Sequence, residues 1–517
     1  MSPSKAIRRS ALLRFGAGAL LAGVVPFLPG VSDLTAEARA VSGVAVLTAW
    51  CWLTAALPLP VASLLPAFLL PASGAIPARV VAPWYFHDIL LLFLGGFILA
   101  IALERYNLHR RFALRALSVF GAAPRRVVLG FMVVGAGLSM FVSNTSTALL
   151  MLPVALAVLD RCTDADRAVL TRPLLLGIAY ACSIGGVATP IGTAPNSVLL
   201  GQLRDRFPDA PSIPFGTWFF GTLPLVVGFL ACAWFVLVRV AHRVPVDSSM
   251  SVEDVRQERR AAGRRDAEQN RVLAIFVAVA LLWLTRSGAD FGSLSIPGWQ
   301  SFVPDRIAGT LSDSTVALFG VMLLFLLPGR ARRSGALLDW EDCKGIPWGI
   351  LLLLGGGFAL AKACEESGLS AAIGQAMAGS LDATPPLLMA FLVALGVTFL
   401  TEITSNTATI NVLLPLMFSA CVAAQVHPML LALPATLAVS CAFMLPVATP
   451  PNAILFSSGR LTVMDMARAG FLLNFLTAVL VTLFSYFWIA PVWGFELAEF
   501  PSWAEPAAGQ PSLEGPR

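Results

Sequence analysis

Apolar residues in this chain come in long runs, near residues 11–29, 43–58, 61–71, 87–104, 127–158, 173–203, 215–240, 271–286, 314–328, 346–364, 385–424, 430–457 and 469–492. A helix needs about 20 such residues to cross a hydrocarbon core of roughly 30 Å. Backbone groups in lipid must bond within their own segment, so runs this apolar predict transmembrane helices. They lack the period-two alternation that a membrane β-barrel requires. Some runs are too short for one span and others too long. Those over 125–160 and 384–425 are each interrupted midway by a polar cluster, which predicts two short helices meeting at a turn, a re-entrant hairpin. Such a turn is tolerated only where it is buried in protein or lines a wet cavity.

Composition sharpens this picture. The 517 residues are 57% hydrophobic and 13% charged, against roughly 25% charged in a soluble domain, which excludes an ordinary soluble enzyme. The formal net charge of +5 sits in loops beside apolar runs, so it reports orientation rather than a nucleic-acid partner. Arg105, Arg110, Arg111, Arg115, Arg125 and Arg126 precede the first interrupted run, and Arg161, Arg167 and Arg172 follow it. Both its ends are therefore expected on the cytoplasmic side. The same rule makes the charged loop 241–270 cytoplasmic, with Arg256, Arg259, Arg260, Arg264 and Arg265, as well as Arg330, Arg332, Arg333 and Lys344. The second interrupted run is flanked by Glu365, Glu366 and Asp382 and is expected to open to the outside. Arg8 and Arg9 before the first apolar run, and Arg14 near its start, favour a first transmembrane helix with a cytoplasmic N-terminus. Ala36-Glu37-Ala38 leaves a cleaved signal as the alternative. Eight scattered cysteines, with Cys51, Cys182, Cys232 and Cys441 inside apolar runs, read as free core residues rather than as metal ligands or disulfides.

The chain repeats itself. Gly95-Gly96-Phe97-Ile98-Leu99-Ala100, with Glu104 and Leu108, matches Gly356-Gly357-Phe358-Ala359-Leu360-Ala361, with Glu365 and Leu369, 261 positions on. Ser143-Asn144-Thr145, Thr147 and Pro153 match Ser405-Asn406-Thr407, Thr409 and Pro415 at 262. Thr193-Ala194-Pro195-Asn196 matches Thr449-Pro450-Pro451-Asn452 at 256. With the two hairpins entering from opposite sides, this predicts an inverted-topology repeat whose binding site lies at midplane between discontinuous helices. The expected organisation is an N-terminal segment and first helix over 1–42, then a first repeat over 43–240 with hairpin 125–160 and broken helix 173–205. The charged loop 241–270 follows, then a second repeat over 271–492 with hairpin 384–425 and broken helix 430–458, and a flexible tail over 493–517.

Polar residues inside spans are costly and so are the first candidates for function. The Ser-Asn-Thr clusters supply hydroxyls and amides that donate and accept. A hairpin turn also exposes carbonyls, which suit Na⁺, and N–H groups, which suit a carboxylate. Gly185-Gly186, Pro190, Gly192 and Pro195 in one half, and Pro446, Pro450 and Pro451 in the other, predict unwound backbone opposite each tip. Ser139 and Thr401 stand one helical turn before each Ser-Asn and either add ligands or bond back to their own helices. The cores of these elements lack Arg, Lys and His, so an anion there needs helix N-termini, hydroxyls and bound cations to neutralise it, which predicts cation coupling. Glu402, the one acid near a tip, is read as a structural hydrogen-bond partner, with a proton relay as the alternative. His87, His109, His242 and His427 are isolated from paired carboxylates, which argues against an intramembrane enzyme. A channel is disfavoured by twin occluding tips.

The stretches Ser143 to Thr147, Gly192 to Asn196, Thr401 to Thr409 and Met444 to Ile454 resemble the divalent anion:sodium symporter family, the INDY-type carriers and sodium-dicarboxylate, citrate and sulfate transporters, over about residues 45–492. The resemblance implies an all-α polytopic protein of about eleven transmembrane helices plus two re-entrant hairpins, a homodimer held by scaffold domains, and an elevator mechanism. It further implies at least two Na⁺ sites, one from Ser139, Ser143, Asn144 and Gly192 and the other from Thr401, Thr404, Asn406 and Ala448, several of them through backbone carbonyls. Substrate carboxylates would meet Asn144, Thr145, Thr193, Ser405, Thr407 and Thr449. Ser146 and Thr404 stand where many relatives carry Ala. The expected activity is sodium-coupled symport of C4-dicarboxylates such as succinate, malate or fumarate across a bacterial inner membrane. A sodium-independent exchanger, or a citrate or sulfate carrier, is the alternative.

Overall fold

The structure is a computed structural model that describes residues 3–109, 111–112, 115, 123–160, 162–245, 265–290, 295–329, 335–378 and 384–505. Most of the charged loop 241–270 lies outside the described residues, as do Arg110, Arg161, Arg330, Arg332, Arg333, Asp382 and residues 506–517.

The described chain is almost wholly helical. In order come α1 (Pro3–Val24), α2 (Ala36–Thr54), α3 (Leu65–Ala72), α4 (Ala78–Trp84), α5 (Asp88–Arg105), α6 (Pro124–Ser139), α7 (Asn144–Asp160), α8 (Asp164–Gly186), α9 (Ala194–Arg206) and α10 (Phe215–Phe235). They are followed by α11 (Ala267–Leu284), α12 (Asp313–Leu326), α13 (Trp348–Glu366), α14 (Leu369–Ala378), α15 (Pro386–Leu400), α16 (Asn406–Ala423), α17 (Met429–Val439), α18 (Pro450–Phe456) and α19 (Val463–Phe484). A small antiparallel ribbon, β1 (Gly288–Asp290) with β2 (Ser295–Pro297), was not foreseen from the apolar runs. Among the described residues, seven helices are long and apolar enough to cross a bilayer, and an eighth results if α4 and α5, bent by 44°, count as one span. Other apolar helices, including α7, α15 and α17, are limbs of 10–17 residues.

The limbs end where the sequence stops supporting a helix. Pro124 and Pro386 start the hairpins at positions where a missing N–H costs nothing. The turns fall at Met140–Ser143 and Thr401–Ser405, and α8 and α17 unwind before Pro195 and Pro450–Pro451 restart a helix. Close packing then fixes the limbs together. A Cβ on Gly185 would lie 2.3 Å from the Ala136 carbonyl oxygen, so α8 meets α6 backbone to backbone.

One large apolar core joins α6–α10 to α15–α19, and smaller cores hold α5 with α11 and α12, and α2 and α3 with α13. Within the large core α8 packs on α6 and α7, and α17 packs on α15 and α16. The second limbs cross over: α9 packs on α16 and α17, and α18 on α7 and α8. The tail expected to be flexible from residue 493 is instead packed as far as its described end. Trp493, Phe495, Leu497 and Ala504 are buried, Trp493 lies 4.8 Å from Trp218, and Phe495 and Trp503 enclose His427. Four apolar side chains in a short segment give it surface to bury, which its Pro content obscured.

Candidate functional site

The two hairpin turns and the two unwound segments meet in the large core. At the first, Ser139 Oγ lies between Asn144 Oδ1 and the Cys182 carbonyl oxygen, 2.7 Å from the latter. At the second, Thr401 Oγ1 lies 2.5 Å from Asn406 Oδ1 and 3.0 Å from the Val439 carbonyl oxygen. Neither hydroxyl bonds back to its own helix; each ties a hairpin turn to the helix that unwinds opposite it. A hydroxyl has one proton and these have two acceptors apiece. Each cluster therefore has more lone pairs than donors, the condition a hard cation relieves.

Gly186 completes the first cluster. A Cβ there would lie 2.9 Å from Asn144 Oδ1 and 3.1 Å from the Gly192 carbonyl oxygen. The missing side chain thus leaves a cradle on which two of the predicted sodium ligands converge. Their donor set, a carboxamide oxygen, a carbonyl and a hydroxyl, suits an alkali cation carried as cargo. In the second half Ala448 occupies the position matching Gly192 and is buried.

Asn196 and Asn452 hold the unwound segments in shape. Asn196 Nδ2 donates to the Gly186 and Thr189 carbonyls at 3.0 and 2.7 Å, and Asn452 Nδ2 donates to Ala442 and Leu445, both at 3.1 Å. Thr193 Oγ1 and Ser440 Oγ, 3.1 Å apart, bond one half to the other. Thr449 Oγ1 accepts the Asn452 N–H at 3.4 Å.

The remaining predicted residues divide. Thr145, Ser405 and Thr407 are half-buried in or beside the first turns of α7 and α16, and among the described residues no side-chain hydrogen bond holds them. The Ser143 hydroxyl instead caps α7, accepting the Ser146 N–H at 3.1 Å. The Thr404 hydroxyl turns back to the Leu400 carbonyl and to Thr409 Oγ1, at 2.8 and 2.7 Å. Both hydroxyls are thus engaged within their own hairpins.

The sodium:sulfate symporter transmembrane region model matches residues 11–494. This chain belongs to that family. A sodium-dependent dicarboxylate transporter of Staphylococcus saprophyticus is 38% identical over 470 residues, 88% of each chain. One of Staphylococcus aureus is 38% identical over 479 residues, covering 90% of this chain and 88% of the relative. Among solved structures, Neisseria gonorrhoeae MtrF matches with a TM-score of 0.57 at 13% identity, over 91% of this chain and 97% of that one. The Alcanivorax borkumensis YdaH transporter matches at 0.51 and 16% identity, over 77% and 84%. At such identities the likeness is one of fold.

As a member of the sodium:sulfate symporter family the protein is an integral membrane transporter and not an enzyme. Its Glu402 accepts hydrogen bonds from the backbone N–H groups of Phe443, Met444 and Leu445 at 2.7, 2.8 and 2.9 Å, and from Asn474 Nδ2 at 2.7 Å. Four donors aimed at one buried carboxylate give it the structural part anticipated from sequence, bracing the second unwound segment against the hairpin turn. The first half has Met140 at the matching position and braces its segment otherwise, with the Met140 carbonyl accepting Thr189 Oγ1 at 2.5 Å and the Val187 carbonyl accepting Trp218 Nε1 at 3.0 Å. Ser440 and the carbonyls of Cys182 and Val439 escaped sequence reasoning. A backbone oxygen has no signature in the residue that carries it, whereas the Ser183 and Ser440 pair, 257 apart, was there to be found.

Proposed function

We propose that this protein is a sodium-coupled symporter of C4-dicarboxylates such as succinate, malate or fumarate, working by an elevator mechanism as a homodimer in a bacterial inner membrane with its N-terminus cytoplasmic. The carrying observation is the pair of proton-poor oxygen clusters, Ser139–Asn144–Cys182 and Thr401–Asn406–Val439, each joining a hairpin turn to an unwound helix. The curated relatives named as sodium-dependent dicarboxylate transporters support the choice of ion and substrate. In this reading the halves are an inverted repeat. One Na⁺ takes Ser139, Ser143, Asn144 and Gly192, the latter three including backbone oxygen, and the other takes Thr401, Thr404, Asn406 and Ala448. Sodium draws each hairpin turn onto its unwound partner. Asn144, Thr145, Thr193, Ser405, Thr407 and Thr449 then meet the carboxylates. The turn N–H groups at the starts of α7 and α16 add positive ends. Because cation and anion complete each other's sites, each raises the other's affinity, which is the coupling. The body α6–α10 with α15–α19 moves as the carriage past the rest.

The test is uptake of radiolabelled succinate by proteoliposomes of the purified protein. Uptake into empty vesicles that requires an inward sodium gradient is the expected result. Uptake that needs only internal succinate would make it an exchanger instead.

A further inference from the structure

The two halves share their motifs but not their surroundings. In the first half, Phe141 packs on Phe215 and Phe276, and Ile191 lies against Gly96 of α5. Their counterparts in the repeat, Ile403 and Val447, are 71% and 80% exposed. The second limbs differ likewise. On α9, Ser197 and Gly201 are buried, with the Phe358 ring of α13 resting where a Gly201 Cβ would come within 2.5 Å, and Arg206 pairs with Glu365 at 2.7 Å. The matching Ala453 on α18 and Ser457, the residue that follows its last turn, are exposed.

We propose that this exposed face of α18 is the docking surface for α5 in the opposite state of the transport cycle, with Phe97 seated over Ser457 and Glu104 paired with Arg460. The proposal rests on the moving-carriage reading above. Its occupant follows from the repeat itself. Phe97 and Glu104 on α5 match Phe358 and Glu365 on α13, seven residues apart in both, so each helix presents an aromatic ring and a carboxylate two turns apart on one face. The α13 pair is engaged, by Gly201 and Arg206. On α5 the ring is held only by its own helix and the apolar core, Phe97 lying edge-on to Phe93 at 5.4 Å, and the carboxylate is unengaged: among the described residues Glu104 has no ion pair, and it lines a cavity of about 300 Å³ with Asn107, His109, Ser146 and Thr147.

The receiving side has the matching chemistry. Ser457 is small, as Gly201 is, and Arg460 aligns with Arg204, two residues before the Arg206 that makes the observed pair. Arg460 now binds Asp160 at 2.9 Å, with a third of one side chain and over half of the other exposed. Exposed pairs of this kind contribute about 0–1 kcal/mol, so Arg460 can exchange partners at little cost. The transporter then has one Phe–Glu clamp for each end of the stroke, and releases one to close the other.

Two double-cysteine variants test this in proteoliposomes under a mild oxidant, Phe358→Cys with Gly201→Cys and Phe97→Cys with Ser457→Cys. Both are expected to cross-link and to block succinate uptake until a reductant is added. A Phe97/Ser457 pair that never cross-links, with or without sodium and succinate, while the Phe358/Gly201 pair does, overturns the docking surface and leaves the transport reading intact. Uptake that continues through the Phe358/Gly201 cross-link overturns the moving carriage, and the clamp with it. Charge reversal is the second measure. Glu104→Arg and Arg460→Glu are each expected to slow uptake by about fivefold, and the double variant to recover to within about twofold of wild type. Losses that simply multiply in the double variant overturn the ion pair.

Discussion

At Ser139 and Thr401 a single hydroxyl proton stands between two oxygen acceptors, and the lone pairs left over are the ground for the sodium sites proposed above. Asn144 and Asn406 supply the carboxamide oxygen in each cluster, so Asn144→Ala and Asn406→Ala are expected to abolish sodium-driven uptake while surface labelling shows membrane levels near wild type. Gly186→Ala is subtler. Its methyl would enter the cradle 2.9 Å from Asn144 Oδ1, and the half-saturating sodium concentration is expected to rise by about tenfold, equivalent to roughly 1.4 kcal/mol. Glu402→Gln keeps the shape but turns an amide N–H₂ toward one or more of four donors. The expected cost is about 1–3 kcal/mol, seen as a lower melting temperature of the detergent-solubilised protein. At this scale the two oxygen clusters were legible because Ser-Asn-Thr occurs twice. The hydroxyl directions were not, since nothing in the letters Thr404 or Ser143 says which way an oxygen turns.

Among the elements, the breaks read most clearly, because proline and paired glycines inside apolar runs leave a regular helix no good solution. The β1–β2 ribbon and the packed segment 493–505 did not read, their apolar content being too short to register as a run. That segment encloses His427, whose Nδ1 accepts the Met429 N–H at 3.1 Å at the start of α17. Burial pushes this imidazole down to about 4 from its ordinary 6.5. The folded state therefore prefers the neutral ring. Its contribution is whole above pH 6.5 and is lost progressively as pH falls toward about 4, where the folded protein also takes up the proton. His427→Asn keeps an acceptor for Met429 and removes the titration. Its melting temperature is expected to fall less than that of wild type across this window, measured side by side in the same detergent.

For the molecule as a whole, three motif pairs at separations of 256 to 262 foretold twin hairpins and twin broken helices. Which half is engaged could not be foretold: the same letters stand in both, and the difference lies in what surrounds them. The bond between Thr193 and Ser440 has a consequence at this scale. Ser440 directly follows Val439, whose carbonyl holds Thr401, and Thr193 directly follows Gly192, whose carbonyl faces the Gly186 cradle. With sodium bound as proposed, an ion settling at one cluster is expected to shift a residue adjoining the other. The two ions then report on each other's arrival, so that initial uptake plotted against sodium should rise sigmoidally, with Ser440→Ala flattening the curve toward a hyperbola. A carrier holding a single ion would be scarce, and journeys that take one ion across alone would be rare.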